Sequence, residues 1–425
     1  MKSRIVQILI LLSITNYLVG QSKSKISEKR FDLAATISGE KLFIAGGQTL
    51  TQLSSVVDIY NLKTKSWSTD NLTYPRNSMQ AVSQNGKVFF AGSSGNPEHS
   101  NTLDIYDDVN DQWTSIKIPN AMYAKALAVY NDELFIGGNR NIDIYNIRNN
   151  EWETKVLSQP RSGMCAVSTS KSIYFAGGYD DDTRYSTVDI YTPSLNKWET
   201  KNLSIPRSGL SCIYANNKVY FAGGALINYK PTDIIDVYDE INNSWSVLKL
   251  PEKKINLRAE LFKDELYFIG GTAPGNFNNI YFEKIDIFNP KTNTWRYIDF
   301  EDPVVKFASA TSVDTLFIAG GRNNTKEFDI VYFYHENISE TSNDDVSLGN
   351  SIYPNPVNDI LKLNITSDFA NGDFDVYNII GNKMEVSQKR TGDSMIFDCT
   401  HLCKGIYIIM PVSYTHLTLP TICSV

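Results

Sequence analysis

Five basic residues in this chain are spaced so that they could form one site. Arg30, Arg161, Arg207 and Lys254 each lie 17 residues before the last residue of a recurring glycine pair, and Arg76 lies 17 before Ser93 of the variant Gly92-Ser93. Lys and Arg number 40 against 47 Asp and Glu, so the net charge is −7 and such a cluster would be a local exception. Converging guanidinium groups suit a carboxylate ligand, because each presents a planar fork of donors. A second reading stands beside this one, in which each cation bonds backbone carbonyls and caps a structural unit. The segments after the glycines add Tyr179, Arg184, Tyr185, Tyr229, Phe277 and Tyr281. Their flat faces suit sugar rings or side chains.

Other chemistry is poorly supplied. The acidic balance argues against nucleic acid as a partner, which needs a basic footprint. Of the four histidines, His99 and His335 fall before the C-terminal region. Neither sits in a nucleophile setting, and both read as exposed loop residues. Cys165 and Cys212 lie 13 and 12 residues before their final glycines, an offset that should turn them to opposite faces as buried free thiols without a disulfide. Cys399 and Cys403 lack enough companions for a closed zinc site, so no metal and no cofactor is expected. Asp180, Asp181 and Asp182 do not follow a calcium-loop spacing and read as a solvated loop tip.

The elements that must position these residues come from a repeat. An apolar run ending in two glycines recurs with last residues at 47, 138, 178, 224, 271 and 321, and Gly92-Ser93 supplies a seventh copy. After each of the first six comes an aromatic with a Trp seven residues later: Tyr60/Trp67, Tyr106/Trp113, Tyr145/Trp152, Tyr191/Trp198, Tyr238/Trp245 and Phe288/Trp295. All six Trp are used. An Asp lies two residues before each aromatic, on the same strand face. Each copy holds four short strand-like runs and no helical period of useful length. Four strands at a period of 40 to 50 residues fit a propeller blade, and blades must pack face to face in a ring to bury both sides. The Trp is expected to fill space between blades.

These marks, with Pro160-Arg161-Ser162-Gly163 and Pro206-Arg207-Ser208-Gly209, resemble the kelch repeat family. The resemblance implies an all-β, seven-bladed propeller over 21–335, with six blades as the alternative because the seventh copy has no Trp. Its fourth strand is expected from Ser22 to Arg30, joining the chain ends. The family's fold brings the five cations and the aromatic loops to one mouth of the central channel, where kelch propellers commonly bind ligands. Copper oxidases of the galactose oxidase type share this architecture, but two histidines are too few for that centre.

The chain ends carry addresses. Lys2, Arg4 and the apolar run Ile5 to Ile14 read as a secretory signal over 1–20, too short to span a bilayer, so the mature chain is expected to have no transmembrane segment. Residues 336–350 form a polar linker. Tyr353-Pro354-Asn355-Pro356-Val357, Gly381 and Lys404-Gly405-Ile406-Tyr407 resemble the type A C-terminal sorting domain of the type IX secretion system of Bacteroidota. That implies a small β-sandwich over 351–410, the type IX machinery as partner, and a secreted or surface location. Residues 411–425 resemble translated adaptor sequence and are expected to be foreign, with Pro411 breaking the last strand. The functional expectation is an exported, non-catalytic module that binds a protein or glycan. The alternative is an enzyme on an acidic sugar, similar to the kelch mutarotases of sialic acid.

Overall fold

The computed structural model describes residues 7–9, 19–93, 97–120, 126–274, 279–336, 352–353, 360–364, 373–378, 382–391, 394–402 and 406–412. The chain divides into two compact units, one spanning Val19–Glu336 and the other joining Met1–Leu18 to Asn337–Val425.

The first unit is a propeller of seven four-stranded antiparallel sheets. Blade 1 runs Ala34–Ser38, Lys41–Ala45, Val56–Asn61 and Ser66–Asn71. The innermost strands of blades 2 to 6 are Gln80–Gln84, Ala126–Tyr130, Cys165–Ser168, Ser211–Ala215 and Arg258–Phe262. Each of these seven inner strands touches the next, and the circle closes between Ala308–Thr311 of blade 7 and blade 1. Blade 7 takes its outer strand from the N-terminus: Val19–Lys25 pairs antiparallel with Ile330–Glu336. The ring therefore closes as expected, with the strand shifted toward the N-terminus from Ser22–Arg30. Arg30 lies outside the strand because its side chain enters blade 1.

The core consists of clusters between blades. At the junction of blades 1 and 2, Phe43, Val57, Val88, Phe90 and Tyr106 are buried together, with Trp113 packed against them. Each Trp stands directly across from its aromatic partner, as in Tyr60 against Trp67 with ring centroids 4.8 Å apart. Trp67 and Trp113 also donate from Nε1 to the preceding blade, at Ser24 Oγ (2.8 Å) and Asp70 Oδ2 (2.7 Å). The turn between these strands holds a repeat mark that the motif search passed over. Five residues after each aromatic, Lys65, Asp111, Asn150, Asn196, Asn243 and Asn293 all have positive φ. Asn and Asp tolerate that conformation better than other side chains, which explains their prevalence there.

Most of the glycine pairs are required by the neighbouring blade; Gly137 meets its own blade instead. In four pairs the second glycine donates its N–H to the carbonyl of a cation-bearing residue, as Gly178 does to Arg207 O at 2.9 Å. A Cβ on the first glycine would strike that same carbonyl: 2.5 Å from Arg207 O at Gly177, and 2.6 Å from Arg76 O at Gly46. Their φ values of +64° and +60° add a second demand for glycine.

The second unit has two four-stranded sheets. One orders Ile352–Tyr353, Ile360–Asn364, Ser394–Asp398 and Ser387–Thr391; the other orders Gln7–Leu9, Ile406–Val412, Asp373–Asn378 and Lys383–Met384. Phe374 and Phe397 meet edge to face between them at 6.1 Å, as in a small sandwich. Tyr353 and Tyr407 lie in strands, whereas Pro354, Asn355, Pro356, Gly381 and Gly405 lie outside the described residues. The expected break at Pro411 is not found, since the strand runs on to Val412 and pairs Pro411 with Phe374. Among the described residues the pairing with Gln7–Leu9 ends at Ile408, three positions before Pro411. No helix among the described residues is long and apolar enough to cross a membrane.

Two substitutions should separate the glycine demands. Gly177→Ala combines the positive φ with the collision and is expected to cost more than about 2 kcal/mol. Gly39→Ala, whose Cβ would meet only Asp108 Oδ2 at 3.2 Å, should cost about 1 kcal/mol from strain alone. Urea unfolding of both variants reads the difference.

Candidate functional site

The five cations lie inside the blades and do not form an open mouth. Arg30, Arg76, Arg207 and Lys254 are 0% exposed and Arg161 is 1% exposed. Each pairs with the Asp on the third strand of its own blade: Arg30 with Asp58, Arg76 with Asp104 (2.5 Å), Arg161 with Asp189 (2.9 Å), Arg207 with Asp236 (2.7 Å) and Lys254 with Asp286 (2.6 Å). The guanidinium groups also donate to strand-end carbonyls, as Arg76 does to Thr102 O and Phe90 O and Arg207 does to Phe221 O. Burial works against the charge of the four arginines, and the adjacent aspartates work for it. These side chains are buried within the blades and paired with their aspartates, out of reach of a ligand at the mouth, which corrects their expected role as a ligand-binding ring.

The seventh blade supports the pairing. Its cation position is Val304, and the strand position that bears Asp elsewhere is Tyr332, paired with Ile318 as Asp58 is with Ile44. Both enter one apolar cluster. Cation and carboxylate are absent together. The third-copy position, Met122, lies outside the described residues, and Asp143 of that blade accepts from Asn120 N and Thr154 Oγ1.

The residues that do reach the mouth lie two positions later in the repeat. Asp32, Ser78, Gly163, Gly209, Asn256 and Lys306 each stand 15 residues before the end of their glycine pair, and all six have positive φ. Their backbones link blade to blade: Asp32 N to Lys306 O (2.5 Å), Ser78 N to Asp32 O (2.9 Å) and Gly209 N to Gly163 O (3.1 Å). They rim a cavity of about 520 Å³ to which all seven blades contribute. Lys306 Nζ donates to Asp32 Oδ2 at 2.6 Å, while the opposite side carries the two glycines.

Below the rim the channel holds charges that no repeat mark flags. Arg258 Nε donates to Phe307 O at 3.0 Å. Two residues on, the Glu260 carboxylate accepts from Ser309 Oγ at 2.6 Å. Burial pushes the Glu260 carboxyl up, against the Ser309 hydroxyl and the Arg258 charge. Burial pushes Arg258 down. Cys165 and Cys212 both line this cavity and their thiols interact, so they do not face opposite ways as the offset implied. The two inner strands belong to different sheets, and counting by twos carries facing only within one sheet.

Beside the cavity, blades 4 and 5 raise an aromatic cluster. Tyr179–Asp180 and Thr183–Arg184 form a small hairpin with Asp181 and Asp182 at its exposed turn. Arg184 stacks over Tyr179 at 5.0 Å and over Tyr229 at 5.5 Å. Its Nε is buried and has no hydrogen-bond partner among the described residues. Tyr229 is 67% exposed and held at φ +56°. The Tyr179 ring covers Gly163, whose Cβ would lie 2.8 Å from it. Tyr185 is half-buried and bonds through its backbone to Gly178 O and Arg207 N, Tyr281 sits in a short strand of blade 6, and Phe277 lies outside the described residues. The two histidines are not exposed loop residues: His99 stacks on Tyr74 at 4.6 Å from a short helix, and His335 lies in a strand of blade 7 with Nδ1 2.9 Å from Thr315 Oγ1.

Residues 138–321 match a family described as the KLHDC2/KLHL20/DRC7 Kelch-repeats domain, and residues 29–69 match the Kelch motif. Residues 351–416 match the Secretion system C-terminal sorting domain, running past 410 into the tail expected to be foreign. No curated protein matches the chain. Among solved structures 1028 chains match, so the architecture alone chooses no function. One of these, titled "Structure of YjhT", is 14% identical over 73% of this chain and 94% of its own, with a TM-score of 0.48, too distant to carry a function.

Two measurements follow from this geometry. Asp236→Ala strands a buried guanidinium and should cost about 3–5 kcal/mol. The double variant Arg207→Met/Asp236→Leu, which removes both charges as blade 7 does, should cost less, by urea unfolding. For Glu260, the folded carboxyl binds its proton more tightly than the unfolded one. Its contribution to stability is therefore full below the usual carboxylate range and falls as pH rises through the raised value. Glu260→Gln should flatten that decline in thermal midpoint against pH.

Proposed function

We propose, for a chain that joins a kelch-repeat β-propeller to a type IX secretion sorting domain, that it is an exported, non-catalytic binding module. Its ligand is a glycan or protein that presents a carboxylate, seated at the channel mouth between blades 4 and 5. Residues 1–20 act as a leader that is removed, and residues 351–410 are the address read by the type IX machinery, removed on delivery to the surface or medium.

One observation carries the binding site. Arg184 is held between two tyrosines beside a cavity whose nearest rim residues, Gly163 and Gly209, have no side chains. The two ring contacts and the bond from its Nη1 to Asp181 O hold the guanidinium before a ligand arrives, which lowers the ordering cost of binding. Tyr179 and Tyr229 supply faces for a ring. A bulky residue at positive φ, as at Tyr229, is costly backbone kept where it displays a side chain. Tyr185 bonds through its backbone to Gly178 and Arg207 beside the cluster, and the five buried cations hold the blades that carry it.

A second reading, an enzyme acting on an acidic sugar, is favoured by Glu260 and Arg258. A carboxyl with raised proton affinity beside a fixed cation in the channel is the kind of acid such chemistry uses.

A glycan array with neutral and carboxylate-bearing members tests the binding reading. Retention of acidic members is expected, and Arg184→Ala should weaken it by roughly tenfold to a hundredfold, the loss of one charged hydrogen-bonding partner. Unchanged binding in Arg184→Ala and Tyr179→Ala would overturn the site. The enzyme reading is read separately, by NMR of anomer exchange in sialic acid with the wild type and Glu260→Gln. No acceleration by the wild type would sink it.

A further inference from the structure

We propose that Cys165 and Cys212 are a redox-modification site, a thiol pair in the channel wall that closes into a disulfide across the junction of blades 4 and 5. The two residues sit on inner strands that are neighbours in the ring, Cys165–Ser168 and Ser211–Ala215. The hydrogen bond from Gly209 N to Gly163 O, 3.1 Å, pins these strands together just above the thiols. Both cysteines are free, partly exposed and line the same cavity, and their side chains interact with each other. The other side chains packed around this junction are largely apolar, Val167 and Leu210 among them. The rim residues above are Gly163 and Gly209, two and three residues ahead of the cysteines, with the Tyr179 ring over Gly163. A small oxidant reaches the thiols through the cavity that both line.

The oxidant is a dissolved disulfide, R–S–S–R, of the kind an exported protein meets outside the cytoplasm. Burial pushes the Cys212 thiol up. The exchange can open at either thiol, Cys165 for instance. The Cys165 thiolate attacks one sulfur of the oxidant and expels R–S⁻, which takes a proton. Cys212 then loses its proton and attacks the mixed disulfide at Cys165. The S–S bond of the pair forms and a second R–SH leaves. Two thiols of the protein are oxidised and one oxidant disulfide is reduced to two thiols. The bond would tie two blades whose inner strands otherwise meet only through side-chain packing and the glycine link at the rim.

The reaction is tested on the purified full chain with oxidised glutathione, followed by alkylation, digestion and peptide mapping. The expected product is a linked peptide pair containing Cys165 and Cys212 that dithiothreitol separates. The oxidised wild type should also melt at a higher temperature than the reduced wild type, with no such shift in Cys165→Ser or Cys212→Ser. Recovery of both cysteines as alkylated thiols, or as separate glutathione adducts, from chains that stay folded would overturn the proposal. The biological oxidant rests on the export reading, and a second arm separates the two. Acid-trapped protein from the culture medium should carry the same link. A link that forms in the tube but not in the secreted product upholds the thiol site and counts against passage through an oxidising compartment.

Discussion

Five junctions of this propeller depend on keeping a backbone carbonyl in place at the inner edge of the next blade, where Gly46, Gly177, Gly223, Gly270 and Gly320 each face one. In the repeated form, the residue that bears the cation offers its carbonyl to the glycine pair of the blade before it, while its side chain reaches into its own blade to bind an aspartate. One residue thereby ties two sheets. The arrangement explains why the glycine, the cation and the aspartate recur together although they are far apart in sequence. It also explains the exception. Blade 7 puts Val304 and Tyr332 at the two charged positions, and the Val304 carbonyl still crowds Gly270, at 2.8 Å from where its Cβ would be. Gly137 of blade 3 meets Ala126 of its own blade instead, but at these five junctions the carbonyl is the constant part. An ion pair or an apolar contact can hold it, as expected when a buried pair and a hydrophobic replacement are close in energy.

Much of the fold was legible because its marks are mutually spaced. A glycine pair, an aspartate, an aromatic and a Trp at fixed distances specify strands, turns and faces at once, and six repetitions leave little freedom. The candidate site was less legible, for a reason visible at two adjacent positions of the repeat. Residues 17 and 15 before the glycine end differ by two, so in a regular strand they would share a face. Here the chain passes through positive φ at the second of them, which sends Arg161 into the blade and leaves Gly163 at the rim. Backbone that leaves the β region cannot be followed by counting. Of the two readings set beside the cations, the capping role is the one the geometry contains.

Residues that occur in a single blade escaped for the opposite reason. Arg258 and Glu260 carry no repeat mark, and a charged pair on an inner strand looks the same in sequence whether it points at solvent or into a channel. The tyrosines and Arg184 were found because aromatic residues gather in loops that a propeller collects on one face. The sequence search could name that company but could not show that Arg184 lies between two rings.

The closing strand sets an order of events. Blade 7 is assembled from residues 19–25 and residues 308–336, so its outer strand is made before every other strand of the propeller and its partners after the rest. The ring cannot close until almost the whole propeller sequence exists, and closure joins segments about as distant as the domain allows, a contact that forms slowly. Until then blade 1 lacks its neighbour on one side and the apolar face shared with blade 7 stays uncovered. A nascent chain of this design remains open and threadable for as long as its N-terminal segment is held elsewhere, and becomes a closed body only when that segment is released to find residues 330–336.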